Sequence, residues 1–352
     1  MNVVRESPTL RSRSRNGRRQ SMHTPLRFTP YLRPMVWGGR RLAKDLGKVL
    51  PTNDLYGESW EVSDHPLHRS IVTAGPAKGQ SLRQLMETER QPLLGPAAAR
   101  HAVFPWLVKF LDARDWLSVQ VHPDDEAVRT LWPGEAGKTE AWFVLDAKPG
   151  SKIFAGLLPE VDEPALRAAL TAGTIAECLH AFEPRPGDCL FLPAGTVHAV
   201  GGGVLLAEVQ QTSDATFRLF DWNRRDSQGK SRKLHVEEAL ASIDWPRGPV
   251  QPVRVPGFSM TASGNLPEPA RQALVACKYF HLEYVCSTAP HAWGDAEQVQ
   301  TAIILRGHAQ LAGAGNEEPI EKGQTWLLPA AMPGATCRPD PELLYLLCTL
   351  PA

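Results

Sequence analysis

No apolar run in the sequence approaches the ~18 residues of a membrane-crossing helix, so no segment reads as a transmembrane span. No Cys-x-x-Cys pair occurs, and the six cysteines (Cys178, Cys189, Cys277, Cys286, Cys337, Cys348) form no dense framework. With no secretory signal either, this points to a reduced, cytoplasmic chain. Cys189 and Cys348 sit in apolar runs and read as core filling. Net charge is lacking too: 38 basic groups balance 38 acidic ones, so whole-molecule electrostatics select neither nucleic acid nor a membrane as partner. The 31 prolines leave little room for long helices and suit short strands joined by turns. What is present is ordinary for a globular protein. The 352 residues are 43% hydrophobic and 22% charged, enough for one large domain or two of usual size.

The charge is unevenly spread. Arg5, Arg11, Arg13, Arg15, Arg18 and Arg19 crowd the first 20 residues, with Glu6 the single acid. Taking those six and one from 38 and 38 leaves 32 basic and 37 acidic groups, a net charge near −5. This Arg/Ser stretch has no apolar core, so it is not a secretory signal. A nucleic-acid-binding tail and an Arg-rich transit peptide are the sharper readings, a disordered extension over 1–25 the plain one. Met22 just precedes the first ordered-looking segment and is a candidate true start.

Leu26 to Gly39 reads as an extended segment ending in a turn. Gly57–Ser63 alternates polar and apolar residues, as a strand with one buried face would; Glu58 and Glu61 then read as solvated carboxylates or substrate contacts. A short helix is expected over Ser81–Glu89 and another over Leu234–Ile243. The longest helical candidate is Glu163–Leu179, with Pro164 in its first turn and an interruption at Gly173. The other periodic segments between 55 and 222 read as strands. Phe104–Val121 contributes two, broken at Asp112–Asp115; Glu140–Leu145, Lys152–Leu157, Cys189–Leu192, Val204–Gln210 and Thr216–Asp221 follow. The expectation is a β-sandwich or barrel. The Pro-rich stretch 246–257 reads as a linker, with further strands at Phe280–Cys286, Gln300–Leu305 and Leu343–Leu350.

A partial repeat connects the two sides of that linker. Gly187-Asp-Cys-Leu-Phe-Leu-Pro193 is echoed by Gly323-Gln-Thr-Trp-Leu-Leu-Pro329, and the same offset turns His198 into Gly334. The turn–strand–turn grammar is kept and the histidine dropped, which implies two similar β modules with chemistry in the first alone.

The chemistry gathers between Phe104 and His198. In Leu117-Ser-Val-Gln-Val-His122 the polar residues Ser118, Gln120 and His122 share one strand face, with the apolar residues behind. Glu140 opens another strand, and His198 follows a Gly turn. Two imidazoles, a carboxylate and an amide oxygen form a mixed N/O donor set suited to Zn²⁺, Mn²⁺ or Fe²⁺. No cysteine is among them, which disfavours a closed structural zinc site.

Four segments carry a family resemblance: Leu117-Ser-Val-Gln-Val-His-Pro-Asp124, Gly137-Lys-Thr-Glu140, Pro193-Ala-Gly-Thr-Val-His198 and Phe217-Arg-Leu-Phe-Asp-Trp-Asn-Arg224. In this order they resemble type I phosphomannose isomerases, densely over 26–240 and loosely over 255–352. The length resembles the short bacterial branch. The resemblance implies a mainly β, double cupin fold with a few short helices. Its catalytic module would span 26–245 and a metal-free cupin-like module 258–352. It implies Zn²⁺, or another divalent metal, on Gln120, His122, Glu140 and His198, and reversible isomerisation of mannose 6-phosphate to fructose 6-phosphate.

Moving a proton between adjacent carbons through an enediol needs a base, a partner for the oxyanion and a grip on the phosphate. By the same resemblance Arg218 is the catalytic arginine, Lys138 an acid–base group, Glu208 the alternative base, and Lys109 and Ser118 phosphate contacts. Lys109 as a strand lysine, Ser118 as an ordinary hydroxyl and Glu208 as a residue orienting a ligand are the plain alternatives. Arg224 and Arg225 read as surface charges, and His65, His68 and His235 as non-ligands. The partner implied is a small sugar phosphate, not nucleic acid or a membrane, for a monomer or weak homo-oligomer. A related hexose phosphate as substrate, or a non-catalytic sugar-binding cupin, are the competing functions. Lys138, Glu208 and Arg218 together argue against the latter, because binding alone does not require them.

Overall fold

Strand segments separated by Gly- and Pro-rich turns account for most of the ordered chain. The structure, a computed structural model, describes residues 22–225, 229–261, 266, 268, 270–294, 297–313 and 316–351. The Arg-rich segment 1–21, read above as an extension, lies outside them. Met22 is buried in the main core. Among the described residues no helix is long and apolar enough to cross a membrane.

The first part of the chain contains β1 (Tyr31–Gly39), β2 (Tyr56–Val62), the small hairpin β3 (Asp64–His65) and β4 (His68–Arg69), β5 (Trp106–Ala113) and β6 (Val119–Val121). Then come β7 (Glu140–Ala147), β8 (Ile153–Leu157), β9 (Leu179–Phe182), β10 (Asp188–Leu192), β11 (His198–Val200), β12 (Val204–Gln211), β13 (Phe217–Phe220) and β14 (Val253–Arg254). The second module holds β15 (Arg271–Ala276), β16 (His281–Ser287), β17 (His291–Trp293), β18 (Gln300–Gly313), β19 (Asn316–Glu321), β20 (Thr325–Leu328) and β21 (Ala335–Thr349). Helices are few and short: α1 (Arg41–Leu46), α2 (Leu82–Thr88), α3 (Arg90–Leu94), α4 (Ala127–Leu131), α5 (Glu163–Ala172) and α6 (Val236–Ser242).

Local chemistry sets several of these boundaries. Ser81 and Gln84 form a reciprocal capping box at the start of α2. The expected helix 163–179 stops at α5 because Gly173 takes the left-handed conformation (φ 75°) and caps it. Ile175 and Leu179, which suggested a longer helix, instead belong to a single 3₁₀ turn and to β9. Both still pack in the cluster that holds Leu166.

Two sheets form the first module. The larger has the order β1-β2-β5-β12-β7-β10-β14, the smaller β13-β6-β11-β8-β9. Strand parity divides the larger sheet's side chains between its faces. Trp142, Val144, Leu190, Leu206 and Leu111 pack with Ile153, Ala155 and Val200 between the two sheets. Their neighbours Ala141, Phe143, Phe110, Ala207 and Val209 pack the other way, against Leu282, Tyr284, Ile303 and Leu346 of the second module. The larger sheet is therefore covered on both faces, which explains why β2, β5 and β12 are buried along their whole length. Glu58 and Glu61 correct the expectation of solvated strand carboxylates: both are buried. Lys48 Nζ bonds Glu61 at 2.6 Å and the Gly323 carbonyl at 2.7 Å, tying the two modules together. The outer face of the smaller sheet is covered by α5 and α6.

The second module is one sheet, β15-β16-β21-β18-β19, with β17 on β21 and β20 on β18. The repeat glycines do the same work in both modules. Gly187 (φ 89°) and Gly323 (φ 82°) begin the turns into β10 and β20. The stretch 246–257 runs along the edge of the first module, where β14 pairs with β10 and Arg254 bonds Asp188 at 2.6 Å. All six cysteines are free thiols. Cys189 and Cys348 are fully buried core residues, and burial pushes the Cys189 thiol up to about 12.

Candidate metal centre and active-site cleft

Register brings the site together. In the smaller sheet Arg218 of β13 and His198 of β11 both stand opposite Gln120 of β6, so three residues scattered over 98 positions form one row. In the larger sheet Trp60, Lys109, Glu208 and Trp142 form a second row across β2, β5, β12 and β7. Glu140 lies two residues before Trp142 on the same face. His122 follows the end of β6, and Pro123 stops the strand there. Gln120 and Arg218 of the first row and Lys109, Glu208 and Trp142 of the second line one cleft, together with Ser118, Lys138 and Glu58.

Both imidazoles are held in one tautomer by backbone carbonyls. His122 Nδ1 donates to the Ala215 carbonyl at 2.7 Å and His198 Nδ1 to that of Thr196 at 2.9 Å, leaving each Nε2 as a lone-pair acceptor. Those lone pairs converge on Glu140, with His122 Nε2 3.4 Å from Oε2 and His198 Nε2 3.3 Å from Oε1. Gln120 places its amide 3.2 Å from His198 Nε2 while its Oε1 accepts from Ser118 Oγ at 3.2 Å. Glu140 is wholly buried, and neither carboxylate oxygen has a hydrogen-bond donor in proper geometry. A buried carboxylate that faces two imidazole lone pairs, with no hydrogen bond to either oxygen beyond its ion pair with Lys138, suits a divalent cation, so these residues fit such an ion. Burial, reinforced by Lys138, pushes the His122 imidazole down to about 3, so both rings are neutral donors; burial lowers His198 as well.

Lys138 precedes β7, yet its Nζ sits 2.8 Å from Glu140 Oε2 and 3.1 Å from His122 Nε2. Burial alone would lower this ammonium, but Glu140 and Glu208 outweigh it and raise it above the ordinary lysine range. Glu208 is a buried carboxylate raised above its ordinary value by desolvation, with Lys109 opposing and Glu140 adding. Its Oε2 accepts from Trp142 Nε1 at 2.9 Å, and its Oε1 lies 3.2 Å from Lys109 Nζ. Lys109 is buried and also stands over the Trp60 ring. Arg218 has neither an ion pair nor a side-chain hydrogen bond among the described residues, and its buried Nε lacks a partner. Burial and nearby Arg232 lower its guanidinium from the ordinary value. An unpaired guanidinium on a cleft wall is available to an anion.

Three charged cleft residues escaped the sequence reading: Arg33, Asp214 and Arg232. Arg33 stands opposite Glu58 in the β1–β2 register and bonds its Oε2 at 3.0 Å, with Asp214 3.6 Å away. No local pattern marks these residues: strand pairing brings Arg33 to the cleft, and the loops before and after β13 bring Asp214 and Arg232. The remaining histidines are engaged elsewhere: His65 with Glu135, His68 stacked on Tyr31, His235 beside the Arg218 backbone. Arg224 is half-buried rather than a surface charge, bonding Asp221 and the Trp116 carbonyl.

Residues 26–140 match the family model of the type I phosphomannose isomerase catalytic domain. The chain is 35% identical over 316 residues to mannose-6-phosphate isomerase of Streptococcus mutans, spanning 88% of this chain and 93% of that protein. It is 33% identical over 305 residues to mannose-6-phosphate isomerase ManA of Bacillus subtilis, spanning 87% and 93%. The crystal structure of mannose 6-phosphate isomerase from Bacillus subtilis superposes with a TM-score of 0.80 at 29% identity, over 92% of this chain and 99% of that one. A mutant of phosphomannose isomerase from Salmonella typhimurium, at 17% identity and TM-score 0.71, shares the fold. The two-module β architecture is thus the cupin-like one expected. With relatives this similar along nearly its whole length, and the type I motifs carried on the strands that build the cleft, the chain belongs to the type I phosphomannose isomerase family.

Proposed function

We propose that this chain is an enzyme that interconverts mannose 6-phosphate and fructose 6-phosphate, with Zn²⁺ as its divalent metal. The observation that carries the reading is the convergence on the buried Glu140 carboxylate of two lone-pair imidazoles, with Lys138, Glu208 and the unpaired Arg218 facing the same cleft. His122, Glu140 and His198 would hold the ion, and Gln120 brings its amide beside them. When bound, the metal supplies Lewis-acid stabilisation of a substrate oxygen on which charge builds.

The chain's own groups do the rest. Aldose-to-ketose conversion moves one proton from C2 to C1 and another from O2 to O1. We assign proton transfer at carbon to Lys138, which as an ammonium can deliver a proton to carbon and must first give up its own to take one, with Glu208 as the alternative base: both are buried, so a proton held there is shielded from bulk water. Arg218 directs its free guanidinium N–H groups at the enediolate oxygen. Lys109 and Ser118, which line the same cleft, are assigned to the phosphate. Six thiols with no disulfide support a reducing, cytoplasmic setting.

Metal analysis and a coupled assay test this directly. The purified protein should hold near one equivalent of zinc and interconvert the two hexose phosphates. Full activity after complete metal removal, or none once metal is restored, would overturn the reading.

A further inference from the structure

We propose that Tyr279, in the turn joining β15 and β16 of the second module, is a positioning residue that holds Lys138 in place through Asp125. The inference rests on the acid–base reading of Lys138 given above. Lys138 sits in a non-strand segment, 137–139, just ahead of β7, where its own N–H donates to the Pro123 carbonyl at 2.9 Å and the Gln211 N–H to the Thr139 carbonyl at 3.1 Å. Its two neighbours are held by side chains as well. The Gly137 N–H donates to Asp125 Oδ1 at 3.2 Å, and the Thr139 N–H to Gln211 Oε1 at 2.9 Å. Gln211 Nε2 in turn donates to the same Asp125 Oδ1 at 3.0 Å. One carboxylate oxygen thus reaches the residues on both sides of Lys138, Gly137 directly and Thr139 through Gln211. Its other oxygen, Oδ2, accepts from Tyr279 Oη at 2.5 Å.

Close packing confirms that the segment is pressed onto this hub. A Cβ on Gly137 would lie 2.5 Å from Asp125 N and 2.7 Å from Asp125 Oδ1, so only glycine lets the chain pass. Burial and the bond to Asp125 raise the Tyr279 hydroxyl well above its ordinary value, which keeps it a donor. Lys278 Nζ, by contrast, lies 3.9 Å from Asp125 and is largely exposed, a contact worth little. The second module therefore takes part in the chemistry without touching substrate: its turn restrains the hub that sets where the Lys138 ammonium falls.

The test compares Tyr279→Phe with Lys278→Ala. Hydrogen exchange read by mass spectrometry on peptides covering 136–140 should speed up by about tenfold in Tyr279→Phe, with β18 in the second module unchanged. In the metal-loaded enzyme, kcat should fall by about three- to tenfold while KM and metal content hold, since a misplaced acid–base group slows turnover without weakening binding. Lys278→Ala should match wild type in both. Wild-type exchange over 136–140 in Tyr279→Phe, or a rise shared equally by β18, overturns the proposal. Exchange is read without substrate, so it decides this point whatever the chain's turnover.

Discussion

His122 and His198 aim their Nε2 atoms at opposite oxygens of one carboxylate, Glu140, from ring centres 4.9 Å apart. Each ring is locked from behind by a backbone carbonyl, so removing either imidazole takes away a donor that no neighbour can replace. We expect His198→Ala to lose more than about 100-fold in metal affinity, read by metal content after dialysis against a chelator. Arg218→Ala should separate from it cleanly. The guanidinium bonds no ligand, so the metal should stay while turnover drops about 100- to 1,000-fold.

Glu208→Gln tests the alternative base. The amide keeps an acceptor for Trp142 Nε1, so the cleft wall should hold its shape. If Glu208 moves the proton, kcat falls about 100- to 10,000-fold with metal content unchanged. A loss confined to a few-fold, accompanied by reduced metal, would place Glu208 in support of the ion and leave the proton to Lys138.

Much of this arrangement was legible in the chain because strand alternation is a local signal. The placement of Ser118, Gln120 and His122 on one face, and of a turn before His198, needs only a period of two. Which strands then lie side by side is not local. That Arg218 and His198 both pair with Gln120 follows from the order β13-β6-β11, set by packing among distant segments. Glu58 was misjudged for the same reason: alternation implies a wet face only where nothing covers the sheet, and here the second module covers one face and the smaller sheet the other. In the second module, the strand expected over Gln300–Leu305 does not end at Gly307. That glycine instead sits at a register shift (φ 82°) through which β18 runs on to Gly313.

Glu58 also gives a pH-dependent expectation. Burial would raise its carboxyl, but Lys109, Arg33 and the Trp60 N–H more than offset that and hold it below the ordinary range. A carboxyl lowered on folding contributes stability above its unfolded value and loses it as pH falls through the folded one. Glu58→Gln should therefore cost about 1–3 kcal/mol near neutral pH. The gap from wild type should close on acidification through and below the carboxylate range, as wild-type Glu58 takes up its proton. Urea denaturation of both proteins across that range measures it. A gap independent of pH would mean that shape, not charge, holds this side chain.

The paired glycines of the repeat make a sharper demand. A Cβ on Gly323 would come within 2.2 Å of the Leu46 carbonyl oxygen, and one on Gly187 within 2.6 Å of that of Val255. Neither carbonyl can swing aside, because Leu46 ends α1 and Val255 is buried with its own N–H bonded to the Gly187 carbonyl. Each alanine thus incurs left-handed backbone strain and a backbone clash, about 2–5 kcal/mol in all. Gly173 separates the two costs. It has the same sign of φ (75°) but nothing within 4 Å of the added methyl, so Gly173→Ala should lose only about 1–2 kcal/mol. Denaturation midpoints of the three variants decide it. If Gly323→Ala and Gly173→Ala destabilise equally, backbone conformation alone explains the repeat, and contact between the Gly323 turn and α1 is not what preserves its glycine.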